Sequence, residues 1–144
     1  MLQGEGYMTY PWDPELETGH EKIDNQHKQL FDALNNFIDV SMRGNGENEI
    51  YRTMDFLAGY TIMHFSDEEK LQEEYDYPDY LVHKHYHDAF RETVEKLIQQ
   101  MYTEGPSQEL VDTLITTIGS WLLNHIKGDD FRMATYIKSK EKAN

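Results

Sequence analysis

Residues Glu47 to Glu74 read ENEIYRTMDFLAGYTIMHFSDEEKLQEE. Ile50, Met54, Leu57, Thr61, His64, Glu68 and Leu71 recur in it at alternating steps of four and three. That period puts all seven on one face of an α-helix and rules out a strand. The stripe is apolar at one end, and a histidine and a glutamate occupy it at the other. Burying two such groups without partners costs several kcal/mol each. The helix that sets the fold class therefore also carries a demand for a ligand.

The same rhythm repeats on both sides. Ile23, His27, Leu30, Leu34, Phe37 and Ile38 mark a helix from about Glu21 to Met42, closed by the turn Arg43-Gly44-Asn45-Gly46. Tyr75-Asp76-Tyr77-Pro78 breaks the second helix. A third runs from about Asp79 to Tyr102, with His83, His87, Phe90, Val94, Leu97 and Met101 on its stripe. Gly105-Pro106 stops it, and Ser107 caps a fourth that reaches about Lys127. Leu110, Leu114, Ile118, Trp121, Leu122 and His125 face inward on that helix. Gly128 is expected to end it, a short helix to follow through Tyr136, and residues 138–144 to fray. Residues 1–19 read as an extended segment, with Tyr7, Tyr10 and Trp12 packed along the rest. The expectation is one all-α domain over residues 1–144, an antiparallel up-down-up-down four-helix bundle.

Bulk composition narrows the chemistry. At 144 residues the chain has room for one core. It contains no cysteine, so disulfides, thiolate zinc sites and cysteine-ligated iron–sulfur clusters are excluded. Any metal must be held by imidazole nitrogen and carboxylate oxygen. A formal net charge of −14 repels nucleic acid and anionic membrane. No apolar run approaches the ~20 residues that span a bilayer, and the first residues carry no signal-peptide pattern. A cytoplasmic domain without direct membrane contact is expected.

Five of the seven histidines fall on core-facing stripes: His27, His64, His83, His87 and His125. His64 and Glu68 are four apart, as are His83 and His87, so each pair can aim two ligand atoms at one small volume. Beyond His125 the spacing leaves two carboxylates in play. Asp129 is four residues on and fits a continuous helix; Asp130 is five on and fits if the chain turns at Gly128. Glu69 is a weaker rival to Glu68. Five imidazoles and two bridging carboxylates give about nine bonds, and a solvent bridge about two more. Two octahedral ions need about twelve, which leaves about one position open. The set is too histidine-rich and too large for a closed tetrahedral zinc site. It also lacks the repeated Glu-x-x-His pattern of ferritin-like oxidases. His85 points away from His83 and His87 and reads as surface; His20 reads as a solvent or capping residue. The acidic run from Asp67 to Asp79 reads as solvated apart from Glu68. Met42, Met54, Met63, Met101 and Met133 read as gap fillers.

These residues resemble a hemerythrin domain of the bacterial type. The matching blocks are Trp12 with Ile23-Asp24-Asn25-Gln26-His27, then His64-Phe65-Ser66-Asp67-Glu68-Glu69, then His83-Lys84-His85-Tyr86-His87, and last Trp121 through Phe131. The resemblance implies two iron ions in an oxo- or hydroxo-bridged centre. His83, His87 and His125 would bind one ion, His27 and His64 the other, and Glu68 and Asp130 would bridge. It implies that dioxygen or small anions bind reversibly at one open position on the two-histidine ion, in a sensor or carrier and not an enzyme. A di-iron redox enzyme or sensor acting on peroxide or nitric oxide is the alternative. Leu30, Phe65, Ile118, Trp121 and Leu122 are candidates for the wall of the open position by helical adjacency, and Tyr86 could place a phenol near it. Members of this type include domains of signalling receptors, chemotaxis receptors among them, which leaves open a place in a longer receptor.

Overall fold

A computed structural model describes residues 9–143. Five helices follow one another: α1 Glu21–Met42, α2 Gly46–Glu74, α3 Tyr80–Glu104, α4 Gln108–His125 and α5 Phe131–Ala143. A 3-10 turn, Pro14–Leu16, precedes α1, and a π-helical turn, Ile126–Asp130, joins α4 to α5. There is no strand among the described residues. Short connections reverse the chain between α1, α2, α3 and α4. Each packs on the next, and α4 closes onto α1 to complete the four-helix bundle.

The local signals explain the boundaries. Ser107 accepts a hydrogen bond from the Leu110 N–H at 3.1 Å and so caps α4. Gly105 ends α3 with φ +79°, a conformation that L side chains disfavour, and its N–H returns to the Met101 carbonyl. Along the bundle the stripes interlock into one core, with Leu34, Ile38, Ile50, Val111 and Leu114 at 0–1% exposure. The N-terminal segment is strapped onto it. Asn35 holds the Tyr10 backbone from both sides, accepting from its N–H at 2.7 Å and donating to its carbonyl at 2.9 Å. The Tyr10 ring lies where a Cβ on Gly119 would stand, so residue 119 has to be small. Trp12 meets Phe31 edge-on, 6.0 Å between centroids. Tyr7 lies outside the described residues.

The C-terminal part departs from expectation in two ways. Gly128 does not end a helix: the chain stays helical through it, widening for five residues into a π turn. There the Phe131 N–H reaches back to the Ile126 carbonyl, five residues earlier. Residues 138–143, expected to fray, continue the helix α5, which is anchored upstream. Met133, Ala134 and Ile137 are fully buried, and Met133 and Ile137 pack with Ile23 and Tyr77 in a second small cluster. The methionines also divide. Met54, Met101 and Met133 fill the core, whereas Met42 and Met63 are 49% and 39% exposed.

Candidate metal centre

The seven residues meet at one level of the bundle. His27 comes from α1, His64 and Glu68 from α2, His83 and His87 from α3, His125 from the end of α4 and Asp130 from the π turn. None is more than 4% exposed. The π turn is what admits Asp130: i→i+5 winding brings a residue five positions after His125 onto its face. Asp129 is turned outward, to the other side of the same imidazole.

Each buried carboxylate divides its two oxygens between two groups of histidines. Glu68 Oε1 faces His83 and His87 at 3.4 and 3.1 Å, and Oε2 faces His27 and His64 at 3.3 and 3.0 Å. Asp130 Oδ1 faces His83 and His125 at 2.9 and 3.2 Å, and Oδ2 faces His27 at 3.0 Å. Two overlapping sets result, each with its ligand atoms within 4.8 Å of one another. One is Glu68, His83, His87, His125 and Asp130; the other is His27, His64, Glu68 and Asp130.

The outer nitrogens of three imidazoles decide what the inner ones can be. His64 Nδ1 lies 2.6 Å from Gln26 Oε1, while the Gln26 amide nitrogen donates to Asp67 at 2.7 Å. His87 Nδ1 lies 2.8 Å from Glu69, and His125 Nδ1 3.1 Å from Asp129. All three partners are acceptors, so each Nδ1 carries a proton and each Nε2 is the nitrogen left to offer a lone pair to a metal. His83 and His125 accordingly aim Nε2 at Nε2 across 3.0 Å. The inward atoms His27 Nε2, His87 Nε2 and all four oxygens of Glu68 and Asp130 are buried, and none has a hydrogen-bonding partner. So many converging acceptor atoms in a dry interior need positive charge between them, which a pair of cations supplies and which protons on the imidazoles supply in the metal-free chain.

Charge follows the same geometry in the metal-free chain. Burial alone would pull His27 and His83 down, but Asp130 and Glu68 overcome it and push both up to about 9. His125 is likewise pushed up to about 10, against burial, by Asp130 and Asp129. Burial raises the Glu68 and Asp130 carboxyls, yet the surrounding imidazoles hold both well below the usual range.

Other residues fall as follows. Leu30, Phe65, Ile118 and Leu122 are in the core, and Trp121 packs against it. Phe65 lies flat on His87, 3.8 Å between centroids and 2° between planes; Trp121 stacks on His125 at 4.3 Å. Both rings cover imidazoles of the three-histidine set, and Phe65 also lies 5.9 Å from the His64 ring of the other. Tyr86 is 43% exposed, with its ring edge-on to His125 at 6.4 Å. It screens that imidazole from outside and does not line an interior pocket. His85 is exposed. His20 precedes α1 without a side-chain capping bond, and its Nδ1 is buried without a partner.

Three contributors were not assigned these roles by the sequence: Gln26, Glu69 and Asp129. Asp67 and Glu69 also correct the expectation that the acidic run is solvated around Glu68. Asp67 holds Gln26, and Glu69, 13% exposed, holds His87. Of these partners only Asp129 left a signal in spacing, four residues from His125. The other pairings cross between helices.

A four-helix bundle whose centre gathers five imidazoles around two bridging carboxylates is a dinuclear metal-binding protein. The family model described as the hemerythrin HHE cation binding domain matches residues 18–137. The chain belongs to the hemerythrin family, the di-iron oxygen-binding proteins. It is 30% identical over 128 residues to a bacteriohemerythrin of Stenotrophomonas maltophilia, covering 89% of this chain and 81% of that protein. It is 31% identical over 123 residues to a myohemerythrin of Theromyzon tessulatum, covering 85% and 89%. A crystal structure of wild-type hemerythrin superposes with a TM-score of 0.78 at 28% identity, over 90% of this chain and 98% of that one.

Proposed function

We propose that this protein binds dioxygen reversibly at the ion held by His27 and His64, as a sensor or carrier and not as an enzyme. The unequal division of ligands carries the reading. With one solvent bridge, the five-ligand set completes an octahedron and the four-ligand set falls one short. A bound di-iron pair supplies the electrons and the vacant position that dioxygen uses. The chain's own residues do the rest. His83, His87 and His125 would hold one ion and Glu68 and Asp130 would be shared by both, while Gln26, Glu69 and Asp129 hold three rings at fixed angles. Leu30, Phe65, Ile118 and Leu122 would keep water from the open side, with Phe65 flanking His64, while Trp121 covers His125 of the saturated set. Small anions would compete for the same position. No helix among the described residues is long and apolar enough to cross a membrane. A net charge of −14 keeps such a protein off anionic lipid, which fits a cytoplasmic role.

One observation favours a second reading, a redox enzyme or sensor acting on peroxide or nitric oxide. A polar cleft lined by His20, Lys22, Asn25 and Gln26 brings solvent to the residue that holds His64. Such a route would serve proton delivery. Anaerobic reduction with iron quantified, followed by oxygen and then vacuum under visible spectroscopy, separates the two. About two irons per chain and an absorption band that appears with oxygen and vanishes under vacuum support reversible binding. Direct, irreversible oxidation supports the second reading and refutes the first.

A further inference from the structure

With every ligand residue at most 4% exposed, dioxygen has to reach the centre through packed side chains. Cavities that open on the described surface differ in their linings. The cleft at the start of α1 is lined by charged and amide groups, including Lys22, Glu21 and Gln26. A second lies under the N-terminal strap, between Tyr10, Leu16 and Lys127. The third is a cavity of ≈ 70 Å³ between α2 and α3. Ala58, Thr61, Val94 and Ile98 form its inner wall, Ile62 and Glu95 stand exposed at its mouth, and Arg91 closes one end.

The third cavity is linked to the metal centre through Arg91, which lines it, and Phe65, which lies beyond Arg91. Arg91 sets its guanidinium over the Phe65 ring, 5.3 Å from the centroid, and the Phe65 ring lies flat on His87. The Arg91 guanidinium and the Phe65 ring thus stand between the cavity and two metal-binding imidazoles, His87 and, 5.9 Å between centroids, His64 of the set with the open position. Arg91 is itself tethered: Asp88 holds it at 2.6 Å, and Glu69, the partner of His87, lies 3.6 Å away. Thr61 is one helical turn before Phe65 and Val94 one turn after Phe90, whose ring also meets Phe65 at 6.1 Å. A volume of this size admits a diatomic gas and excludes a peptide segment. Its apolar lining favours dioxygen over water and over anions, which the polar cleft would not.

We propose that this α2/α3 cavity is the port through which dioxygen enters, with Phe65 and Arg91 as its inner door. The proposal rests on the dioxygen-binding reading above. It has a kinetic signature. A port belongs to the path and not to either end state, so narrowing it slows entry and exit by the same factor and leaves Kd unchanged. A change at the metal site itself would move Kd.

The test uses the iron-loaded protein with Ala58→Phe, which fills the inner wall, and Ile62→Trp, which covers the mouth from an exposed position. Association and release rates are measured by stopped flow on reduced protein, with iron content and the visible spectrum as controls. Both rates should fall several-fold in either variant, at constant Kd. Independently, xenon under pressure should occupy the cavity in crystals of the oxidised protein and be displaced by Ala58→Phe. Wild-type rates in both variants, or a change confined to Kd, would overturn the port. If the iron-loaded wild-type protein fails to bind dioxygen reversibly, the functional reading fails instead. Absence of xenon from the wild-type cavity would overturn the port in either case.

Discussion

Glu69→Ala removes the acceptor that holds His87 without touching any residue whose ligand atom faces the centre. The contact is short, 2.8 Å, between a fully buried imidazole and a carboxylate that is 13% exposed. Two routes give its worth. Partners of metal-bound histidines typically contribute 10–100-fold in metal affinity, or ~1.4–2.7 kcal/mol. Leaving the buried Nδ1–H of His87 unsatisfied costs ~1–3 kcal/mol. The truncated site lies close enough to solvent for water to replace part of the lost bond, so about tenfold weaker binding is expected. Glu69→Gln keeps an acceptor and loses the charge, and should fall between the variant and wild type. Loss of the 3.6 Å contact to Arg91 adds little, since a partly buried pair of that length, with Arg91 also held by Asp88, contributes at most a fraction of the total. The assay is anaerobic ferrous titration against a competing chelator, with iron counted per chain. The loss should fall on the five-ligand position. Wild-type affinity in Glu69→Ala, or a loss confined to the position held by His27 and His64, would refute the assignment of Glu69.

Three further outcomes are expected. His64→Ala and Glu68→Ala should each lower iron content per chain and the melting temperature of the loaded protein; full iron in either would remove that residue from the ligand set. Metal-free protein should lose stability as pH rises through about 9 to 10, because His27, His83 and His125 are raised above their unfolded value. That contribution is complete below an unfolded pKa of about 6.5, whereas the contribution of the depressed Glu68 and Asp130 is lost in acid. Iron uptake at neutral pH should therefore release protons into a weakly buffered indicator solution, and a flat melting profile from neutral to alkaline pH would contradict this. Gly119→Ala places a Cβ on the Tyr10 ring, so the ring must leave. A loss of ~1–3 kcal/mol in thermal unfolding is expected, much reduced in a Tyr10→Ala background; additive effects would show that the two do not meet.

Sequence periodicity reports faces of helices, and that limit separates what could be read from what could not. Steps of three and four placed His27, His64, Glu68, His83, His87 and His125 on inward stripes because those residues sit in unbroken α-helix. Asp130 sits beyond a change of winding. Spacing alone preferred Asp129 on a continuous helix, or Asp130 after a break. The chain does neither: it stays helical and widens its turn, which satisfies both residues. Asp130 faces the centre and Asp129 takes the outer nitrogen of the same His125. Gly128 reads as a stop because glycine is a poor helix former, but burial of Met133, Ala134 and Ile137 keeps the chain helical past it. Gln26 and Glu69 were illegible for a related reason. Each immediately adjoins a ligand in sequence, so it points about 100° away around its helix. A residue so placed looks solvated until the neighbouring helix is known. Gln26 on α1 then meets His64 on α2, and Glu69 on α2 meets His87 on α3. The ligands are thus a property of single helices, and their orientation is a property of helix pairs. The second cannot be deduced from the first without the crossing geometry.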